Sequence, residues 1–263
     1  MNICVIGDSH VTALKGGLPS VAADYPECNL VFFAGPGGRL KDLEVSDGKL
    51  TASSAELADM FRRTSGADCI EPKYDAYILV GLAVRIARAA SICLRAATQR
   101  WRGDRNWILD EYEMSGLMNS GFEKGLAEQV MAMLRQITDA PTVLIATPYP
   151  GDTISTDFWK RLDKRGVLDR LPALYEAACV RLCAAYDVRF LSQPPETIAA
   201  NGVTTQSAFT RAASTAATRR SDGTHMNARF GALVLKDALA ALSLEMQGKI
   251  TPRCEASRRD RFA

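Results

Sequence analysis

The sequence predicts an α/β protein, a three-layer α/β/α sandwich with a five-stranded parallel sheet. Three observations predict it. Five short apolar runs recur along the chain. Each is continuously apolar rather than alternating, as expected of parallel strands covered on both faces. The stretches between them carry apolar residues at three- and four-residue spacing, so strands and helices alternate and right-handed crossovers follow.

In order, the strands are Asn2–Ile6, Asn29–Ala34 (NLVFFA), Asp75–Ala83 (DAYILVGLA), Thr142–Thr147 (TVLIAT) and Asp187–Ser192 (DVRFLS). A first helix runs from about His10 to Leu18. Ser53–Arg63 opens as a capping box, with Glu56 three residues after Ser53. Phe122–Thr138, Leu171–Tyr186 and the long final stretch Asn227–Met246 are the remaining helices. Val84–Ala140 exceeds what one helical connection needs and reads as an inserted helical cap over 84–140. Gln193–Ser221 is rich in Ser, Thr and Ala with little apolar periodicity, and a loop of that length is usually functional or mobile. The tail over 251–263 has Pro252, several Arg and little to bury, which predicts a frayed end.

A chain of 263 residues suits one large domain with a substantial core. Its 32 Lys and Arg against 30 Asp and Glu leave a net charge of +2. That balance excludes general nucleic-acid binding, which needs a strong basic field. No apolar run reaches the roughly 18 residues of a membrane span, so no membrane partner is expected. Met1 to Ile6 run straight into the first strand, so no secretory leader is expected. The seven Cys form no CxxC pair and fit reduced thiols, so a cytoplasmic location is expected. Cys179 and Cys183, four apart on a helix, read as core residues. The chain holds two His, neither in a metal-ligand cluster, so no metal or organic cofactor is expected.

In open α/β sheets, ligands bind beyond the carboxyl ends of the strands. Gly7-Asp8-Ser9-His10 follows the first strand. Gly7 permits the sharp turn, and Ser9 then sits at a helix N-terminus, where developing negative charge is stabilised. Ser9 is either a nucleophile or a helix N-cap. Asp222-Gly223-Thr224-His225 precedes the last helix. A carboxylate three residues before a His can bond its Nδ1–H, fix the tautomer and leave Nε2 as a base. The alternative is a surface turn with an incidental His. Together the two segments form a Ser/His/Asp set that lacks only proximity.

On these two blocks, G-D-S at Gly7-Asp8-Ser9 and D-x-x-H at Asp222 to His225, the chain resembles the SGNH (GDSL) hydrolases. The resemblance spans nearly the whole chain and implies one hydrolase domain over 1–250, with flavodoxin-like strand order 2-1-3-4-5. It implies a serine esterase with Ser9, Asp222 and His225 as triad and no cofactor. It also implies oxyanion donors from the N–H of Ser9 and of a glycine after the second strand. There the sequence reads Gly35-Pro36-Gly37-Gly38-Arg39, and the G-x-x-G spacing favours Gly38, with Gly37 second. A plain turn or an anion-binding nest fits the same residues. The family's third block, G-x-N-D, departs here: Gly81-Leu82-Ala83-Val84 puts Ala83 where an Asn would donate to the oxyanion. His10, Arg85, Asn106 and Asn119 are candidate replacements.

Arg85, Arg88, Arg95, Arg100, Arg102 and Arg105 face a single acid, Asp104, in the stretch after the third strand. They either hold an anionic substrate group or form a solvated helix face. Trp101 and Trp107 either stack on a sugar or anchor the cap. The expected partner is a small-molecule or carbohydrate ester carrying a short acyl, in first place acetyl, group. An acyltransferase, thioesterase or lipase of the same fold, or a non-catalytic binding module, are the alternatives.

Overall fold

The structure is a computed structural model and describes residues 1–99, 111–152, 156–164, 166–211 and 222–248. Among these the chain runs β1 (Asn2–Gly7), α1 (Val11–Gly17), β2 (Asn29–Ala34), β3 (Leu43–Ser46), β4 (Lys49–Ala52), α2 (Ala55–Ser65), β5 (Cys69–Ile70) and β6 (Ala76–Gly81). It continues through α3 (Ile86–Gln99), α4 (Glu111–Phe122), α5 (Leu126–Ile137), β7 (Thr142–Ala146), α6 (Thr156–Asp163), α7 (Leu171–Ala184), β8 (Arg189–Leu191) and α8 (Ala228–Gly248).

Five strands form one parallel sheet in the order β2-β1-β6-β7-β8. The three strands missing from that order form a separate antiparallel sheet, β3-β4-β5, between the second and third strands of the main one. These strands are four, four and two residues long, too short and too mixed in polarity to stand out as apolar runs.

Side chains alternate between the two faces of each main strand. Ile3 and Val5 of β1 join Ile78 and Val80 of β6 against Leu14 of α1 and Phe230, Leu235 and Leu239 of α8. Cys4 and Ile6 join Phe33, Tyr77, Leu79 and Leu144 against Phe61 of α2, Leu134 of α5 and Cys179 and Cys183 of α7. Both faces are therefore covered, which is why these strands are apolar throughout. The result is a helix–sheet–helix sandwich.

Several boundaries differ from expectation, each for a local reason. β6 stops at Gly81 because Gly81, Leu82 and Ala83 all adopt left-handed backbone, at φ +78°, +50° and +60°. The expected helix 122–138 is split: α4 ends at Phe122, Lys124 is left-handed at φ +57°, and α5 begins at Leu126. Ser54, not Ser53, caps α2, accepting the Leu57 N–H at 3.4 Å. Ser53 Oγ instead donates to the Asp42 carbonyl at 2.8 Å. Within 84–140, buried side chains of α3, α4 and α5 belong to the same apolar cluster as β6 and α7. Residues 100–110, which include Trp101, Trp107, Asn106 and the basic-stretch residues Arg100, Arg102 and Arg105, lie outside the described residues, as does the tail 251–263. Among the described residues no helix is long and apolar enough to cross a membrane.

Candidate active site

Register brings the ends of the main strands to one edge. Gly7 pairs with Ala34 on one side and Val80 on the other, and Gly81 pairs with Ala146. The residues that follow these strands thus share one surface. Gly7 makes the turn possible: a Cβ there would lie 2.6 Å from the Val80 carbonyl oxygen. Asp8, 8 % exposed, then accepts the His10 N–H at 3.0 Å and lies against Gly81, where any Cβ would overlap its carboxylate. This closed corner fixes Ser9 between β1 and α1.

The other half of the site is carried by the turn before α8. Asp222 Oδ1 accepts the Thr224 N–H at 3.2 Å and the His225 N–H at 3.0 Å. The imidazole Nδ1 of His225 lies 3.0 Å from Asp222 Oδ2 and 3.1 Å from Oδ1. Its Nε2 lies 3.0 Å from Ser9 Oγ. With the proton on Nδ1, the ring donates to Asp222 and Nε2 accepts the Ser9 hydroxyl. Ser9, Asp222 and His225 thus meet within hydrogen-bonding distance across 216 residues of sequence. Partial burial raises the Asp222 carboxyl, but the hydrogen bonds from His225 outweigh it, and the net shift is below the ordinary carboxylate range.

These residues line a cleft of about 380 Å³ together with Asp8, His10, Gly38, Arg85, Ile86, Ala87, Thr147, Pro148, Pro150 and Thr224. Gly38 is exposed and left-handed, φ +81°, in a tight turn over Pro36–Asp42. Gly37 belongs to the same turn. Arg85 is exposed at the cleft. His10 is 5 % exposed, with its ring 5.5 Å from that of His225. Burial holds its imidazole below the ordinary histidine range against the pull of Asp8, and His225 and Arg85 push the same way. Its buried Nδ1 has no hydrogen-bond partner.

Ala83 and Asn119 are not among the cleft-lining residues. Ala83 ends the left-handed run, and left-handed backbone costs roughly 1–2 kcal/mol for each non-glycine residue. Leu82, 1 % exposed, anchors that run in the core. Thr147 went unnoticed in the sequence. It follows β7 directly, is 7 % exposed, lines the cleft, and its buried Oγ1 has no partner. Its place beyond a strand's carboxyl end was the available signal. Among the described residues no group of three or more His, Cys, Asp or Glu is placed to hold a metal ion.

No family model and no curated protein matches this sequence. Solved structures resemble it, among them the following two. A family two carbohydrate esterase from Clostridium thermocellum, solved in complex with cellohexaose, is 13 % identical over 94 % of this chain, with a TM-score of 0.41. This chain spans 64 % of that protein's length. A DUF4886 family protein from Bacteroides uniformis is 8 % identical, with 99 % of this chain and 89 % of that one covered and a TM-score of 0.42.

The loop after β7 braces the Asp222–His225 turn. Gly151 N–H donates to the Gly223 carbonyl at 2.8 Å, and a Cβ on Gly151 would lie 2.9 Å from that oxygen. Gln193 holds the loop from behind: its Oε1 accepts Tyr149 N–H at 2.8 Å and its Nε2 donates to Thr197 and Thr205. Arg211 N–H donates to the His225 carbonyl at 2.8 Å, and Asn227 N–H to that of Phe209 at 2.9 Å. The described part of 193–221 is therefore tied down; residues 212–221 lie outside the described set.

Proposed function

We propose that this chain is a serine ester hydrolase of the SGNH type that removes a short acyl group, in first place acetyl, from a carbohydrate. The observation that carries the reading is the 3.0 Å approach of Ser9 Oγ to His225 Nε2, with Asp222 on the opposite ring nitrogen. Ser9 Oγ attacks the ester carbonyl as His225 takes its proton. Asp222 holds the tautomer and stabilises the imidazolium. The backbone N–H groups of Ser9 and Gly38 receive the oxyanion. His225 returns the proton to the leaving alcohol, and water then releases the acyl group from Ser9 by the reverse sequence. A cleft of about 380 Å³ has room for a short acyl group and a sugar ring. Transfer of the acyl group to a sugar hydroxyl would use the same residues.

One observation favours a second reading, a non-catalytic binding module: Ala83 offers no side-chain amide to the oxyanion, and a lost donor typically costs about 10²–10³ in kcat. A fluorophosphonate probe separates the two. The esterase reading expects labelling of Ser9, lost in Ser9→Ala and strongly reduced in His225→Ala. An unlabelled, folded protein between pH 6 and 9 would favour the binding module.

A further inference from the structure

Buried polar groups are almost always hydrogen-bonded, so those that are not mark places where something else is expected to bind. Among the described residues five buried side-chain atoms have no partner: His10 Nδ1, Thr51 Oγ1, Thr147 Oγ1, Asp152 Oδ1 and Trp159 Nε1. The first and third belong to the Ser9 cleft. The last two belong together to a second cleft, of about 260 Å³, lined by Asp152, Trp159, Lys160, Asp163, Leu168 and Asn201. No step of the ester chemistry uses it.

The two clefts are neighbours along one loop. Pro148 and Pro150 line the first and Asp152 lines the second. Two residues of chain span at most about 7 Å. The same loop touches the Asp222–His225 turn through Gly151.

The chemistry of the second cleft selects its ligand. Trp159, 5 % exposed, presents an unmet donor. Asp152 presents an unmet acceptor, since Oδ2 takes the Ser207 N–H at 3.3 Å and Oδ1 takes nothing. Asn201 spends its Oδ1 on Val203 N–H, Thr204 N–H and the Thr204 hydroxyl, which leaves its amide NH₂ as a donor to the cleft. Lys160, Asp163 and Asn201 are exposed, so the side chains that yield to an entering ligand are surface groups. An anion would meet two carboxylates. A metal ion would leave the indole N–H unsatisfied. A hydroxyl both donates and accepts, the two roles that Asp152 Oδ1 and Trp159 Nε1 leave unfilled.

We propose that this second cleft is a distal sugar subsite. It holds a neighbouring unit of an oligosaccharide whose acylated unit lies at Ser9. The choice of ligand rests on the carbohydrate-ester reading, and the following experiment lets the two fail separately. Titration calorimetry with a deacylated oligosaccharide compares the intact protein with Trp159→Phe, which removes the N–H, Asp152→Asn and the rim variant Lys160→Ala. Thermal unfolding confirms that each is folded. The intact protein binds, and Trp159→Phe and Asp152→Asn each weaken binding about tenfold or more. Should Trp159→Phe not fold, Asp152→Asn and Lys160→Ala carry the comparison. No binding by the intact protein overturns the subsite, as does equal affinity in every folded variant, the result expected if a buried water alone satisfies the two atoms. Sugar binding without ester hydrolysis or Ser9 labelling would keep the subsite and remove the esterase. Hydrolysis of an acetylated monosaccharide without oligosaccharide binding would do the reverse.

Discussion

Asp222 serves three donors with one carboxylate: two backbone N–H groups of its own turn and the His225 imidazole. Its net downward shift keeps it charged throughout the neutral range. In Asp222→Asn the amide can still accept the backbone N–H groups, but it turns an NH₂ toward Nδ1 and favours the wrong tautomer. A fall in kcat of about 10⁴ with little change in KM or unfolding temperature is expected from steady-state kinetics and thermal unfolding. His10 makes a different prediction. Its folded-state pKa is depressed by burial, so the unfolded chain binds a proton that the folded one refuses. Stability from this group is complete above the unfolded value near 6.5 and is lost as pH falls from there through the folded value. Unfolding temperature should therefore drop between pH 7 and pH 5, and the drop should be smaller in His10→Gln. An equal slope in both proteins would mean that His10 binds protons equally in the folded and unfolded states. The two segments that bring Ser9, Asp222 and His225 into contact were legible in the sequence because each is a short contiguous motif whose spacing has a mechanical meaning. Thr147 was not, because a lone Thr at a strand end looks like any other until its hydroxyl is found without a partner.

The element that joins the Ser9 turn to the Asp222–His225 turn is the crossing of α1 and α8. Ser9 precedes α1 and His225 precedes α8, so the way these helices touch sets the 3.0 Å between them. They touch backbone to backbone. A Cβ on Gly231 would overlap the Ala13 carbonyl and come within 2.8 Å of Leu14 N, and one on Gly17 would come within 2.6 Å of the Gly231 carbonyl carbon. Gly231→Ala must push α8 away from α1. We expect a loss of about 1–3 kcal/mol or more and a fall in kcat larger than the change in KM. Gly16→Ala is the control, since its Cβ would meet Ala228 Cβ at 3.4 Å, an ordinary contact. A helical Gly→Ala change there should be neutral or stabilise by about 0.5–1 kcal/mol. Similar effects of both substitutions on unfolding and turnover would show that the crossing does not set the site. The two helices were legible in the sequence, the first from the turn after the first strand and the other as the long final stretch. Their contact was not, because glycine contributes nothing to an apolar pattern. The β3-β4-β5 sheet was missed for a related reason: half-buried strands of two to four residues lack a periodic signal.

At the scale of the molecule, the main sheet separates two apolar clusters, and the proposed chemistry is distributed unevenly between them. Both helices that follow Ser9 and His225, α1 and α8, lie on one face, in the cluster with Ile3, Val5, Ile78 and Val80. The helices α2, α3, α4, α5 and α7 pack on the other face, in the cluster with Cys4, Ile6, Tyr77 and Leu79. The sequence revealed that both faces are covered, through runs with no polar alternation, but not which helix lies on which face, since that depends on crossover geometry rather than local spacing. The partition makes stability and activity separable. Leu235 of α8 and Leu134 of α5 are both fully buried, one in each cluster. Truncation of either to Ala opens a cavity and should cost about 2–5 kcal/mol. For a chain of this size that is a drop of several degrees or more in unfolding temperature. Leu235→Ala loosens the helix that begins three residues after His225, whereas Leu134→Ala leaves the α1–α8 contact untouched. Assayed well below both unfolding transitions, Leu235→Ala should lose most of its kcat while Leu134→Ala retains most of it. Equal retention in both variants would show that the triad is positioned by its own turns and by the loop after β7, not by the packing of α8 on the sheet.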